Sequence, residues 1–222
     1  MPLTARLTRQ QALDYFHSPD LIGLGFEADA VRRRLHPEGV VTYIIDRNIN
    51  YTNFCTEYCT FCAFYRPLTG PRSEEGYILD FETIYKKIAE TVEMGGTGVL
   101  MQGGIHPDLK INWFERLFSG IKQRFPQIWL HCLTASEILA IARYSELSLR
   151  DTIIRLRDAG LDSIPGGGAE ILDDDVRRRI AYQVQHRGLG QRAPHRAPVG
   201  HENHGHNDVW RGRDTGAAHQ PF

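Results

Sequence analysis

Cys55, Cys59 and Cys62 stand close together in NYTNFCTEYCTFCAFYRP, spaced C-x3-C-x2-C, while the fourth cysteine of the chain, Cys132, lies far downstream. Three clustered thiols with one outlier do not make a disulfide framework; they point to metal or redox chemistry in a reducing compartment. A tetrahedral zinc site asks for four ligands, so the cluster is one short unless Cys132 completes it. A cubane [4Fe–4S] cluster held by three thiolates leaves one iron without a protein ligand. That open iron can bind a substrate or a second cofactor. Such chemistry needs three ligands on a compact loop and a dry pocket above them.

The elements around the loop are those of an α/β protein. Thr8 and Gln11 read as a capping box before a short helix, and an arginine-rich helix follows near residues 27–35. VVTYIID, residues 40–46, is a β-branched run suited to a buried strand directly before the cysteines. Asp80 can cap a helix with Ile84, Ile88 and Val92 on one face, closed by Gly95 and Gly96. TGVLMQGG (97–104) reads as a strand entering a glycine turn, and Asn112 as the cap of a helix carrying Phe114, Leu117, Phe118 and Ile121. IWLHCLT (128–134) is a third strand; Ser136 and Ser148 open two further helices. LDSIPGGGAE (161–170) is a fourth strand ending in glycines. Strands alternating with helices imply a parallel sheet, and each strand here ends in polar or glycine residues, the end at which barrel enzymes build their sites. Net charge is −1 and no apolar run reaches membrane-spanning length, so a cytoplasmic protein with no nucleic-acid or membrane partner is expected.

The cysteine segment resembles the radical S-adenosylmethionine superfamily, whose signature is C-x3-C-x-aromatic-C; here it reads Cys55-TEY-Cys59-Thr60-Phe61-Cys62. The resemblance implies an incomplete (β/α) partial TIM barrel with about four parallel strands in this chain, an N-terminal helical segment over 1–39 and barrel over 40–180. It implies a [4Fe–4S] cluster on Cys55, Cys59 and Cys62, with S-adenosylmethionine on the open iron. Phe61 would lie beside the adenine, and Gln102, Gly103 and Gly104 would present backbone to the methionine amino group. Ile105 replaces the acidic residue that usually follows the glycine pair, so that contact falls to backbone or to another residue. The same glycines also suit a tight turn and nothing more. Glu170 sits where relatives place a carboxylate near a ribose hydroxyl, or is a glutamate favoured by a helix N-terminus. Gly166, Gly167 and Gly168 allow close backbone approach to a ligand, or only make the turn. His131 points into the barrel as a proton acceptor, or is structural. Cys132 alternates to the opposite face as a buried thiol.

The flanks IIDRNINYTN, AFYR, QGGIHPDLK and SIPGGGAEIL are similar to the cyclic dehypoxanthinyl futalosine synthases of the futalosine route to menaquinone. That implies hydrogen abstraction from the ribose of dehypoxanthine futalosine by a 5′-deoxyadenosyl radical, ring closure onto the benzoate, then loss of an electron and a proton. A small-molecule substrate and an electron donor such as flavodoxin or ferredoxin follow. Aminofutalosine and deazaflavin synthases share the cluster motif and are the alternative enzymes; a non-catalytic iron–sulfur or zinc-binding fragment is the alternative outside catalysis.

Residues 181–222 lose all helical and strand period and hold six of the ten histidines. They read as a disordered tail, with His201, His204 and His206 as conceivable metal ligands. A legal codon string for this tail, read in a shifted frame from Ile180, spells an amphipathic helix and the strand TTATMMFG, as the family's continuation would. A frameshift near Ile180 is therefore expected. With only part of a barrel, the polypeptide is expected to be unstable or inactive alone.

Overall fold

The computed structural model describes residues 7–166 and Asp175. The chain divides into two units, 1–43 and 44–222. In the first, α1 (Arg9–His17) begins at the expected capping box: the Thr8 side chain accepts from the Gln11 N–H, and the Gln11 side chain accepts from that of Thr8. Helix α2 (Leu21–Leu35) starts earlier than its arginines suggest, because Asp20 caps the Gly23 N–H at 2.8 Å. No residue of either helix is buried.

The second unit alternates strand and helix. Strands β1 (Asp46–Asn50), β2 (Gly98–Gln102) and β3 (Trp129–Cys132) form a parallel sheet in the order β1-β2-β3. The register places Asn48 beside Leu100 and Leu100 beside His131. Helices α3 (Phe81–Glu93), α4 (Ile111–Arg124), α5 (Ala135–Tyr144) and α6 (Leu149–Asp158) follow in chain order.

Alternation along the strands divides the sheet into two faces. Ile49, Val99, Met101, Leu130 and Cys132 are fully buried in one core with the apolar stripes of the helices, among them Ile84, Ile88, Phe114, Leu117 and Phe118. Burying each such side chain contributes about 1.5–3 kcal/mol. The other face carries Asp46, Asn48, Asn50, Leu100, Gln102, Trp129 and His131, none of them buried. A polar sheet face is what a strand row lining a cavity looks like.

Four expectations differ from the structure. Residues 40–45 are exposed and outside any strand; β1 begins at Asp46. The β-branched run fits a strand by propensity, yet pairing with β2 decides the position, and that pairing lies over DRNIN. The fourth strand is, among the described residues, a single parallel bridge from Ser163 to His131. Its backbone is nonetheless stitched to β3, with Cys132 N–H donating to the Ser163 carbonyl at 3.0 Å and Asp162 N–H to that of Leu130 at 3.1 Å. Finally, α4 is capped neither by Asn112 nor by its own N-cap Lys110; the Ile111 N–H donates to Ser145 Oγ at 2.9 Å, and Asn112 accepts from Arg155. Likewise α5 is capped by Thr134, ahead of Ser136. The caps at Asp80 and Ser148 stand as expected.

Candidate active site

The cysteine loop is closed by the protein itself. Cys55 N–H donates to the Arg66 carbonyl at 2.9 Å and Arg66 N–H to the Asn53 carbonyl at 2.7 Å, making a neck. Arg66 also folds its guanidinium back over the loop's exit. Nη1 donates to the carbonyls of Ala63, Phe64 and Tyr65 at 2.9–3.2 Å, and Nε to Glu75 at 2.6 Å. Asn53 is buried and pins the neck to the next segment: Nδ2 donates to the Glu75 carbonyl, and Oδ1 accepts from the Tyr77 N–H at 2.8 Å. Tyr58, just before Cys59, takes a positive φ of 48°, a left-handed residue that turns the loop back.

Cys55, Cys59 and Cys62 are free thiols and half-buried on this loop. Burial pushes the Cys55 and Cys59 thiols up from their ordinary pKa, and for Cys59 the neighbouring Cys55 and Cys62 push further in the same direction. They lie near enough to one another to feel each other's charge, and a positively charged metal group among them would reverse the shift. Among the described residues no three His, Cys, Asp or Glu side chains converge as a ready-made site for one metal ion. A single tetrahedral zinc requires such convergence. A cubane gives each thiolate a separate iron, and three free cysteines on one loop are the donor set it asks for. Cys132 is fully buried on the helix side of β3 and takes no part.

The loop rests on the turn after β2. Thr56 N–H donates to the Ile105 carbonyl at 3.0 Å and Gly104 N–H to the Thr52 carbonyl at 2.9 Å. The two glycines are there for closeness. A Cβ on Gly103 would stand 2.7 Å from the buried Tyr51 ring, and one on Gly104 only 2.2 Å from the Phe54 carbonyl oxygen. Because both turn N–H groups are engaged inside the protein, what the turn can offer a ligand is carbonyl oxygen.

Behind the turn is Glu137, buried on the first turn of α5. Its Oε1 accepts from Tyr51 Oη at 2.7 Å and from the Gly103 N–H at 2.9 Å, and its Oε2 from the Thr134 N–H at 2.6 Å. Burial raises its pKa, and the hydrogen bonds from Tyr51 and Thr134 oppose that rise. Tyr51 is itself held far above the usual phenol range, by burial first and by Glu137 second. The far end of α5 also reaches the loop. Tyr144 Oη lies 3.4 Å from Thr56 Oγ1, and Arg143 lies 3.5 Å from Glu57, whose carboxyl is raised chiefly by burial. A small cleft opens between these parts, lined among others by Tyr51, Gly104, Ile105, His106, Glu137 and Tyr144.

The expected residues are only partly gathered. The cysteines, Gly103 and Gly104 meet at the strand ends, and Gln102 stands on the polar sheet face. Phe61 is 57% exposed on the loop. His131 is on the polar sheet face, with Nδ1 2.6 Å from Ser163 Oγ and close enough to Asp46 to affect its titration. Gly166 is described, whereas Glu170, Gly167, Gly168 and the whole of 181–222 lie outside the described residues. Sequence reasoning missed Glu137, Tyr51 and Arg66. Thr134-Ala-Ser-Glu137 is a capping-box pattern that would have flagged the glutamate.

Residues 49–187 match the radical SAM superfamily. The cyclic dehypoxanthine futalosine synthase of Halalkalibacterium halodurans is 47% identical over 176 residues, covering 79% of this chain and 47% of that protein. Its namesake in Streptomyces coelicolor is 46% identical over 179 residues, covering 79% and 44%. The 5-amino-6-(D-ribitylamino)uracil–L-tyrosine 4-hydroxyphenyl transferase of Nostoc punctiforme is 45% identical over 148 residues, covering 63% and 37%. The chain thus spans about half the length of the curated relatives it matches, or less. The crystal structure of methylornithine synthase superposes with a TM-score of 0.64 over 85% of this chain and 51% of that one at 16% identity, a likeness of fold.

Proposed function

This chain belongs to the radical SAM superfamily, and from that premise we propose that it carries the cluster-binding half of an enzyme that converts dehypoxanthine futalosine to its cyclic product. Superfamily members use a [4Fe–4S] cluster and S-adenosylmethionine, and the free, half-buried thiols of the cysteine loop suit the former. Together these groups supply a 5′-deoxyadenosyl radical for hydrogen abstraction. The chain's residues provide the rest. Cys55, Cys59 and Cys62 anchor three irons as thiolates. Gln102, Gly103 and Gly104 offer carbonyl oxygens to an amino group, and Phe61 offers a ring face to an adenine. His131, on the polar sheet face, takes the proton released when the aromatic ring is restored, and Glu170 accepts hydroxyl groups of a ribose. Flavodoxin or ferredoxin is the electron donor in this reading.

The observation that carries the proposal is the pairing of the cysteine loop with 47% and 46% identity to two cyclic dehypoxanthine futalosine synthases. The 45% identity to the hydroxyphenyl transferase keeps a second reading in play, a sister reaction on tyrosine and a ribitylaminouracil. The test is to offer the anaerobically reconstituted chain dehypoxanthine futalosine and, separately, the transferase substrates, with S-adenosylmethionine and a reductant. Cyclised product from the first supports the proposal. Turnover of the second pair alone replaces it with the sister reaction. Iron uptake with no 5′-deoxyadenosine in either mixture leaves a non-catalytic fragment. Among the described residues no helix is long and apolar enough to cross a membrane.

A further inference from the structure

The turn after β2 has no acidic residue of its own: Gly103 and Gly104 are followed by Ile105, which is buried. An ammonium group in front of such a turn would meet carbonyl oxygens and no countercharge. Glu137 supplies one from behind. It is 4% exposed, and its carboxylate accepts three hydrogen bonds, from Tyr51 at the end of β1, from Gly103 at the end of β2 and from Thr134 after β3. One side chain therefore joins the C-terminal ends of all three strands.

Helix capping does not account for this placement. The Thr134 side chain already accepts from the Glu137 N–H at 3.2 Å, and an exposed glutamate could complete the capping box without entering the core. Burying a carboxylate is costly unless donors compensate it, so the two additional donors are the feature to explain. The Gly103 N–H belongs to the same peptide group as the Gln102 carbonyl. A carboxylate on the N–H end fixes the tilt of that peptide and pushes electron density toward its oxygen, as successive hydrogen bonds polarise one another in a low-dielectric surround. Its charge also lies one peptide away from anything docked on the turn.

We infer that Glu137 is the acid of this turn: a positioning residue that orients and polarises the Gln102–Gly103 peptide to receive the cationic amino group of S-adenosylmethionine. The inference rests on the reading above that this chain binds that cofactor. Tyr51 assists by holding the carboxylate, and contributes no charge of its own.

The test uses the whole chain, reconstituted anaerobically, as parent, Glu137→Gln and Tyr51→Phe. Three quantities are read: iron per chain, melting temperature, and the affinity for S-adenosylmethionine from the change it causes in the electron paramagnetic resonance signal of the reduced cluster. The affinity series is repeated with the analogue lacking the methionine amino group. Glu137→Gln is expected to keep its iron and to bind S-adenosylmethionine about tenfold more weakly, while binding the deamino analogue within about twofold of the parent. Tyr51→Phe retains the charge and is expected to lose about threefold or less for either ligand. Equal affinity in Glu137→Gln and parent overturns the inference, as does an equal loss for both ligands. Loss of iron and of the melt in Glu137→Gln reduces the residue to a fold-holding role and also overturns it. If the parent takes up its cluster and binds neither ligand, the functional reading beneath the inference falls first, and the inference with it.

Discussion

Replacing Gly104 with alanine places a methyl carbon 2.2 Å from the Phe54 carbonyl oxygen, 2.7 Å from its carbonyl carbon and 2.9 Å from the Cys55 Cβ. Real contacts of this kind do not go below 3.0 Å, so the turn and the cysteine loop must part by at least 0.8 Å. Neither side yields easily. Cys55 is tied to Arg66 at 2.9 Å, and the Gly104 N–H to Thr52 at 2.9 Å. Forcing a methyl into such a contact costs about 1–3 kcal/mol, or a fall in melting temperature of roughly 2–12 °C at 2–4 °C per kcal/mol for a chain of this size. The same displacement moves Cys55 relative to Cys59 and Cys62, so iron uptake should fall with it. Gly25→Ala is the matched control. It lies in the exposed helix α2 with nothing within 4 Å of the added carbon, and alanine there should stabilise by about 0.5–1 kcal/mol. The assay is a thermal melt of both variants beside parent protein, with iron measured after anaerobic reconstitution. A Gly104→Ala protein that melts within a degree of the parent and takes up iron equally would show that the turn and the cysteine loop part without cost.

Cys132→Ser is expected to retain iron while losing about 1–3 kcal/mol of stability, because a fully buried thiol becomes a hydroxyl that costs more to take out of water; Cys59→Ser should do the reverse, and metal analysis with a urea melt separates them. Hydrogen bonds from Thr83 to Asp80 at the start of α3 hold that carboxyl below its usual range. Its contribution to stability is therefore present above the unfolded value of about 3.9 and is lost as pH falls through the lower folded value. Asp80→Asn, which keeps an acceptor and removes the titration, should flatten the melting curve between about pH 5 and 2; an unchanged acid limb would count against the cap. Nucleotide sequence across Ile180 from independent isolates is expected to show a frame change there, and an unbroken reading of residues 181–222 in all of them would end that idea.

The parts of the site that depend on short spacing were readable from the residues. Cys55, Cys59 and Cys62 carry their chemistry in one loop, and Gly103-Gly104 announces a close approach, though not to what. The structure supplies the answer: Tyr51 and Phe54 of the cysteine segment itself. Glu137 was not readable as a site residue, because its two partners outside α5 lie 86 and 34 positions away and meet only when β1, β2 and β3 are aligned. Arg66 was hidden for the opposite reason, since its work is on three adjacent backbone carbonyls that any loop possesses. For the fold, helix caps and apolar stripes were legible because they are local, as at Asp80 and Ser148. The first strand was misplaced because Val40, Val41 and Ile44 have strand propensity without a neighbour to pair with, while Asn48 and Asn50 have poor propensity and good pairing. Tertiary pairing also decided α4, whose cap comes from Ser145 of the following helix turn.

In the proposed reading the cysteine loop holds a three-thiolate cluster with one iron open to S-adenosylmethionine. The measurement closest to it is iron and sulfide per chain after anaerobic reconstitution, followed by the change in the reduced cluster's paramagnetic resonance signal when S-adenosylmethionine is added. About four irons and four sulfides per chain are expected, with a signal that shifts on addition of the cofactor. One zinc per chain, or a cluster whose signal does not respond, would contradict it.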